Sequence, residues 1–260
     1  MPELPDLTVF AKNLNARFAG KTLERIEVVV DKKLNVAAKD LKESLEGIKL
    51  EAVVREGKSL QLQFKNDQVL GLHLMLNGEI RLLDEEHQLK FAIIVLHFKG
   101  GQGFALTDFQ RQATPTLNPE KVTVPDALSK EMDIDYFSTL LSKKRTKIKT
   151  LLMDQHALRG IGNSYADEIL WAAKISPFSI ANAIPPEKVK VLHKAIGTVL
   201  HKEIEQISKK LNGSVTGEVR DFLKVHNPHL KESPTGSAIK MEKIGGRKTY
   251  YTDEQELFEA

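Results

Sequence analysis

The chain has 260 residues, 41% of them hydrophobic and 28% charged, with a net charge of +3 and a pI near 8.8. That is the composition of a soluble globular protein long enough for one large or two modest domains with real cores. No apolar run approaches the roughly 20 residues of a membrane helix, and the start MPELPDLTVF lacks the basic-then-apolar order of a secretory signal, so an intracellular protein is expected. The absence of cysteine excludes disulfides and thiolate metal sites, and the eight histidines form no pair at metal-ligand spacing. A small positive charge is compatible with a nucleic-acid partner without arguing for one.

Residues 8–19 place Val9, Phe10, Leu14 and Phe18 on one face, which predicts a helix closed by Gly20. From residue 23 to residue 104 the pattern is strand-like, at 26–30, 50–56, 60–64, 69–74, 79–83 and 91–98. Turn residues separate these runs at 65–67, Asn77-Gly78 and Gly100-Gly101, so a β-sandwich or barrel is expected. Residues 114–126, with Pro115, Pro119 and Pro125, read as a linker. Helical periodicity follows at 136–141, 146–153, 164–173 and 186–211. The polar end of the chain closes with a hairpin turning at Gly245-Gly246.

Two features carry chemistry. Removal of the initiator methionine from a Met-Pro start frees a secondary amine, and a terminal amine titrates near about 8, so much of it is nucleophilic near neutral pH. Its attack on a sugar aldehyde carbon gives a cationic iminium, an electron sink that favours β-elimination of the neighbouring phosphate, with Glu3 beside it to move protons. Further along, Lys143-Lys144-Arg145-Thr146-Lys147-Ile148-Lys149 precedes Gly160-Ile161-Gly162-Asn163. Glycines there allow tight backbone geometry, and the helix that follows offers N–H groups to a phosphate, with Asn163 as cap or donor.

The start MPELPDL resembles that of the formamidopyrimidine-DNA glycosylase/endonuclease VIII family. Further segments match in order. Glu56-Gly57-Lys58-Ser59-Leu60 is similar to the family's lysine hairpin, so Lys58 falls where a lysine contacts phosphate and assists catalysis. Residues 72–82 resemble the HLGMSG segment, and Leu76 takes the place of the side chain that fills the hole left by a flipped base. Residues 151–177 resemble the helix–two-turn–helix signature, with Asp154, Asn163, Tyr165, Ala166 and Glu168 in family positions. Residues 244–255 resemble the end of the family's zinc finger, with Arg247 at the phosphate-gripping arginine.

The departures are specific. Thr252 and Gln255 stand at the last two cysteine positions, and the first pair falls near 232–236, so a zincless finger held by Ile239, Tyr250, Tyr251 and Phe258 is expected. Where the family carries D-P-R-R-F this chain has Asp108-Phe109-Gln110-Arg111-Gln112. Arg111 is kept as a phosphate ligand, Gln110 replaces the arginine that reads the opposite base, and Gln112 replaces the intercalating phenylalanine. Asp6 replaces a glutamate, and the lesion-covering lid after Arg220-Asp221-Phe222 is shortened or missing.

The resemblance implies an α+β fold: a sandwich with a flanking helix over 1–125, then a helix–two-turn–helix domain with a finger over 126–260. It implies a monomeric, cytoplasmic, nucleoid-associated protein of bacterial type, with damaged duplex DNA in the cleft between domains, bound through Lys58, Leu76, Gln110, Arg111, Asn163 and Arg247. Pro2, Glu3 and Lys58 would excise an oxidised base and nick the strand, with no metal or organic cofactor. A family member with lyase activity only, or with DNA binding alone, is the alternative that the altered Gln110 and Gln112 leave open. An RNA-binding protein built on the same helical motif is disfavoured by the matching N-terminus.

Overall fold

Short-range capping decides where the first helix begins. In the computed structural model, which describes residues 1–83 and 89–259, α1 runs Leu4–Phe18, starting before the apolar periodicity does. Glu3 and Asp6 form a reciprocal capping box, the Glu3 N–H donating to Asp6 Oδ2 at 2.9 Å. Pro5 adds no donor that a first turn would waste.

The chain divides into two compact units, residues 1–122 with 207–218, and residues 123–206 with 219–260. In the first, two antiparallel four-stranded sheets share one core. One sheet has the order β1-β6-β7-β5, from Leu23–Val28, Ala92–Phe98, Gln102–Thr107 and Glu79–Leu82. The other has the order β2-β3-β4-β8, from Leu50–Glu56, Ser59–Phe64, Val69–His73 and Thr114–Leu117. The period-2 burial of β3 turns Leu60, Leu62 and Phe64 inward, onto the buried face of α1. Phe18, Phe98 and Phe104 meet in that core with ring centroids 4.8–6.1 Å apart.

Two expectations fail in this unit. A helix, α2 (Ala38–Leu45), interrupts the run of strands, burying only Leu41 and Leu45 at i, i+4 spacing. The proline-rich stretch does not begin as a linker, because Thr114–Leu117 is strand β8. Proline is tolerated there because β8 is an edge strand, where one ladder N–H is dispensable. The Asn35 amide closes that edge, pairing with both the N–H and the carbonyl of Leu117 at 2.8 Å.

The second unit is helical. It contains α3 (Ile134–Ser142), α4 (Ile148–Met153), α5 (Asn163–Ala172) and most of the long α6 (Pro186–Leu211). The finger hairpin pairs β9 (Lys240–Ile244) with β10 (Arg247–Tyr251), and both turn glycines lie at positive φ, +55° and +77°. Among the described residues, no helix is long and apolar enough to cross a membrane.

Candidate active site

The first unit holds a cavity of about 870 Å³ with Met1, Pro2, Leu76 and Asn77 in its wall. Pro2 is itself buried, and in the encoded chain its nitrogen is still an amide. The Met1 amine is ion-paired with Glu218, on a loop that also lines the cavity and is fastened to α1 by Asn13 Nδ2 donating to the Ser214 carbonyl at 2.6 Å. Glu3 lies behind the wall, 3% exposed and engaged in the capping box.

Lys58 follows Gly57 in the β2–β3 turn, where φ is +56°. Arg55 ties that turn to α1: Nε donates to Thr8 Oγ1 at 2.9 Å and Nη1 to the Gly57 carbonyl at 2.9 Å. The helix that begins at Leu4 and the turn that presents Lys58 are therefore held by one guanidinium. Across the ladder, Ser59 pairs with His73. Burial first, then the Lys58 ammonium, holds His73 below the ordinary histidine range, so the ring is neutral at pH 7. Its Nδ1 accepts the Met75 N–H at 3.1 Å, which leaves Nε2 as a donor. Sequence reasoning passed over His73; its signal is register, one pair away from Lys58.

Two loops frame the cavity mouth. Leu76 is 65% exposed on the first, beside Met75 at φ +56°. Gly78 closes that loop, its N–H donating to the Leu74 carbonyl at 2.8 Å. The second loop is organised by the buried Asp108 carboxylate, which accepts from the N–H groups of Gln110, Gln112 and Ala113 at 2.7–2.9 Å. Asn77 Nδ2 donates to Gln110 Oε1 at 2.8 Å and joins the loops. Arg111 is exposed at φ +54°, a conformation uncommon outside glycine. Pro2 and Leu76 thus share the cavity wall, whereas Gln110 and Arg111 stand on the loop beside it.

In the second unit, Gln155 staples the turn before α5. It donates to the Met153 and Ile161 carbonyls and accepts the Gly160 N–H, each at 2.9 Å. Asn163 does not cap α5; it is the first helical residue, Gly162 is the N-cap, and Asn163 Nδ2 donates to the Lys248 carbonyl at 3.1 Å. The exposed Arg247 precedes Lys248 on the hairpin, so the turn and the finger are coupled through one amide. Lys149, the last residue of the basic run, is set apart from the exposed lysines before it: it is wholly buried, ion-paired with Asp167 at 2.7 Å and donating to Thr249 Oγ1 at 2.9 Å. Asp167 further receives His226 Nδ1 at 2.6 Å and the Tyr250 N–H at 2.9 Å. Its neighbour Glu168 accepts the N–H groups of Lys224, Val225 and His226 at 2.8–2.9 Å; burial raises its pKa and those N–H groups oppose the rise.

The finger is fastened by more than the expected packing. Tyr250 and Ile239 do join Trp171 and Val225, and Tyr251 meets Phe178 edge-on. The cysteine positions are filled by a hydrogen-bonded cluster around Glu254. Its carboxylate accepts from Thr235 at 2.7 Å and Thr252 at 3.2 Å and pairs with Lys174 at 3.1 Å. Gln255 closes the cluster, accepting the Thr252 N–H at 2.9 Å and donating to the Ile175 carbonyl at 2.8 Å. The Thr235 hydroxyl, then Lys174 and Thr252, hold the Glu254 carboxyl down at about 2. Among the described residues no group of His, Asp and Glu is arranged to hold a metal.

A sandwich whose cavity touches the second residue of the chain, followed by a helix–two-turn–helix unit, defines a class of DNA-repair glycosylase. The formamidopyrimidine-DNA glycosylase N-terminal domain matches residues 1–114, and the H2TH domain of the same glycosylases matches residues 124–213. Relatives include the formamidopyrimidine-DNA glycosylase of Lactococcus lactis subsp. cremoris, 30% identical over 96% of this chain and 97% of that one. The enzyme of Mycoplasma mobile is 29% identical at the same coverage. Among solved structures, the Lactococcus lactis protein in complex with abasic-site DNA has a TM-score of 0.83 at 27% identity, covering 96% of this chain and 98% of that one. A complex of the same protein with THF-DNA and an inhibitor reaches 0.86 at 28% identity, covering 98% and 100%. The chain belongs to the formamidopyrimidine-DNA glycosylase family, in a variant whose finger lacks cysteine.

Proposed function

We propose that this protein is a bifunctional DNA glycosylase and abasic-site lyase of base excision repair, with Pro2 as nucleophile once Met1 is removed. The observation that carries the reading is Pro2 in the wall of a cavity of about 870 Å³ whose rim bears the exposed Leu76. The freed amine attacks C1′ of an everted, oxidised nucleotide; the C1′–N bond to the base breaks and the base leaves with a proton. Opening of the sugar, with Glu3 supplying the proton to the ring oxygen, gives a C1′ iminium. Loss of a C2′ proton then expels the 3′ phosphate, and a second elimination expels the 5′ phosphate. Water hydrolyses the conjugate and returns the amine.

In this reading Lys58 and the His73 Nε2–H take phosphate oxygens beside the reacting sugar, and Arg111, Asn163 and Arg247 hold the backbone elsewhere. Leu76 fills the vacated stack and Gln110 meets the opposite base. Borohydride reduction during reaction with an abasic duplex is expected to trap a covalent adduct that peptide mapping assigns to residue 2. Correctly processed protein that yields no adduct overturns the reading.

A further inference from the structure

The wall of the cavity bearing Pro2 also contains two phenylalanines that the fold leaves out of its core. Phe91 is 58% exposed and Phe109 is 59% exposed. They stand at the same end of the β6–β7 ladder, where Ala92 pairs with Thr107 and the Asp108 N–H donates to the Phe91 carbonyl at 2.9 Å. Phe91 is held at φ +63°, a region a bulky side chain rarely occupies. The Asp108 carboxylate fixes the loop that carries Phe109. The backbone thus holds two rings that are more than half exposed in the cavity wall.

In the same wall Glu79 is paired with Arg81. Recognition of a flat face has two aromatic rings to draw on here. The loop that lost an aromatic at Gln112 carries one at Phe109.

We propose that Phe91 and Phe109 form a stacking seat for the everted base and set the substrate class of this enzyme. It follows that planar bases, which can lie flat on the rings, are the accepted class. Ring-saturated bases, which are puckered, are poor substrates. The inference rests on the Pro2 reading for where the base is delivered.

The test compares excision of a planar oxidised base with nicking of a preformed abasic site, in wild type, Phe91→Leu, Phe109→Leu and Phe109→Tyr. Stacking on an aromatic ring is worth about 10- to 100-fold per base. The ratio of excision to nicking is expected to fall by about that factor in each leucine variant and to recover in Phe109→Tyr. A parallel fall of both activities, an unmoved ratio, or leucine performing as well as tyrosine overturns the seat. A wild-type chain inert on abasic sites breaks the Pro2 reading instead. The seat is then read from equilibrium binding: wild type should prefer duplex carrying the planar lesion over duplex carrying tetrahydrofuran, and both leucine variants should lose that preference. Leucine variants that keep it overturn the seat.

Discussion

The loops around the cavity and the finger with its supporting helices are built on opposite plans. The cavity loops carry Met75, Phe91 and Arg111 at positive φ, and leave Leu76, Phe91 and Phe109 more than half exposed. The finger region instead hides charge: Lys149 and Asp167 are wholly buried, and Glu168 is 3% exposed with three backbone donors on it. One region keeps apolar surface and backbone strain available for a ligand; the other uses its polar groups internally to hold one shape. On the proposed function, binding chemistry sits where the fold is least satisfied, while the finger region is where satisfaction is greatest.

The contrast between the two regions breaks first at Lys149. Lys149→Met leaves the Asp167 carboxylate buried without its main partner, and a loss of about 3–5 kcal/mol in urea unfolding is expected. A loss below about 1 kcal/mol would mean that the buried charges do not carry the finger region. On the cavity side, Gly78→Ala sets a Cβ 2.1 Å from the Leu74 carbonyl oxygen, so the Leu76 loop must move. The expected cost is smaller, about 1–3 kcal/mol, with base excision falling further than stability explains. A variant that keeps wild-type excision would show that the Leu76 loop needs no fixed shape.

Glu254→Gln sharpens the contrast at the smallest scale. Duplex affinity should drop roughly fivefold, the effect of removing one charge-assisted hydrogen bond from a shared cluster, while dialysis against EDTA leaves the wild type unchanged. Because the folded pKa lies below the ordinary 4.5, the contribution of Glu254 is complete above that pH and is lost as pH falls through about 2. A carboxyl resonance titrating with a midpoint near 4.5 would remove Glu254 from the centre of the finger.

Local pattern made much of this legible. Strand β2 and helix α6 lie where alternation and helical period put them, and Gly245-Gly246 turns the hairpin as two adjacent glycines should. What the sequence hid depends on partners far along the chain. Lys149 reads as one of a basic run until Asp167 and Thr249 are brought to it. Thr114–Leu117 reads as linker until β4 and Asn35 pair with it. His73 acquires meaning only across the β3–β4 ladder. Glu254 is one more surface acid until Thr235, Thr252 and Lys174 converge on it, and the missing cysteines said what was lost from the finger but not what replaced it.

The cluster around Glu254 has a chemical consequence beyond holding a hairpin. Hydroxyls, an amide, a carboxylate and an ammonium offer an oxidant nothing to attack, whereas zinc-bound thiolates climb readily to sulfenic acid and disulfide, releasing their metal. Peroxide that damages DNA bases would disarm a thiolate finger when its work is most needed. With no cysteine anywhere in its chain, this protein presents a finger with no thiolate for such stress to oxidise.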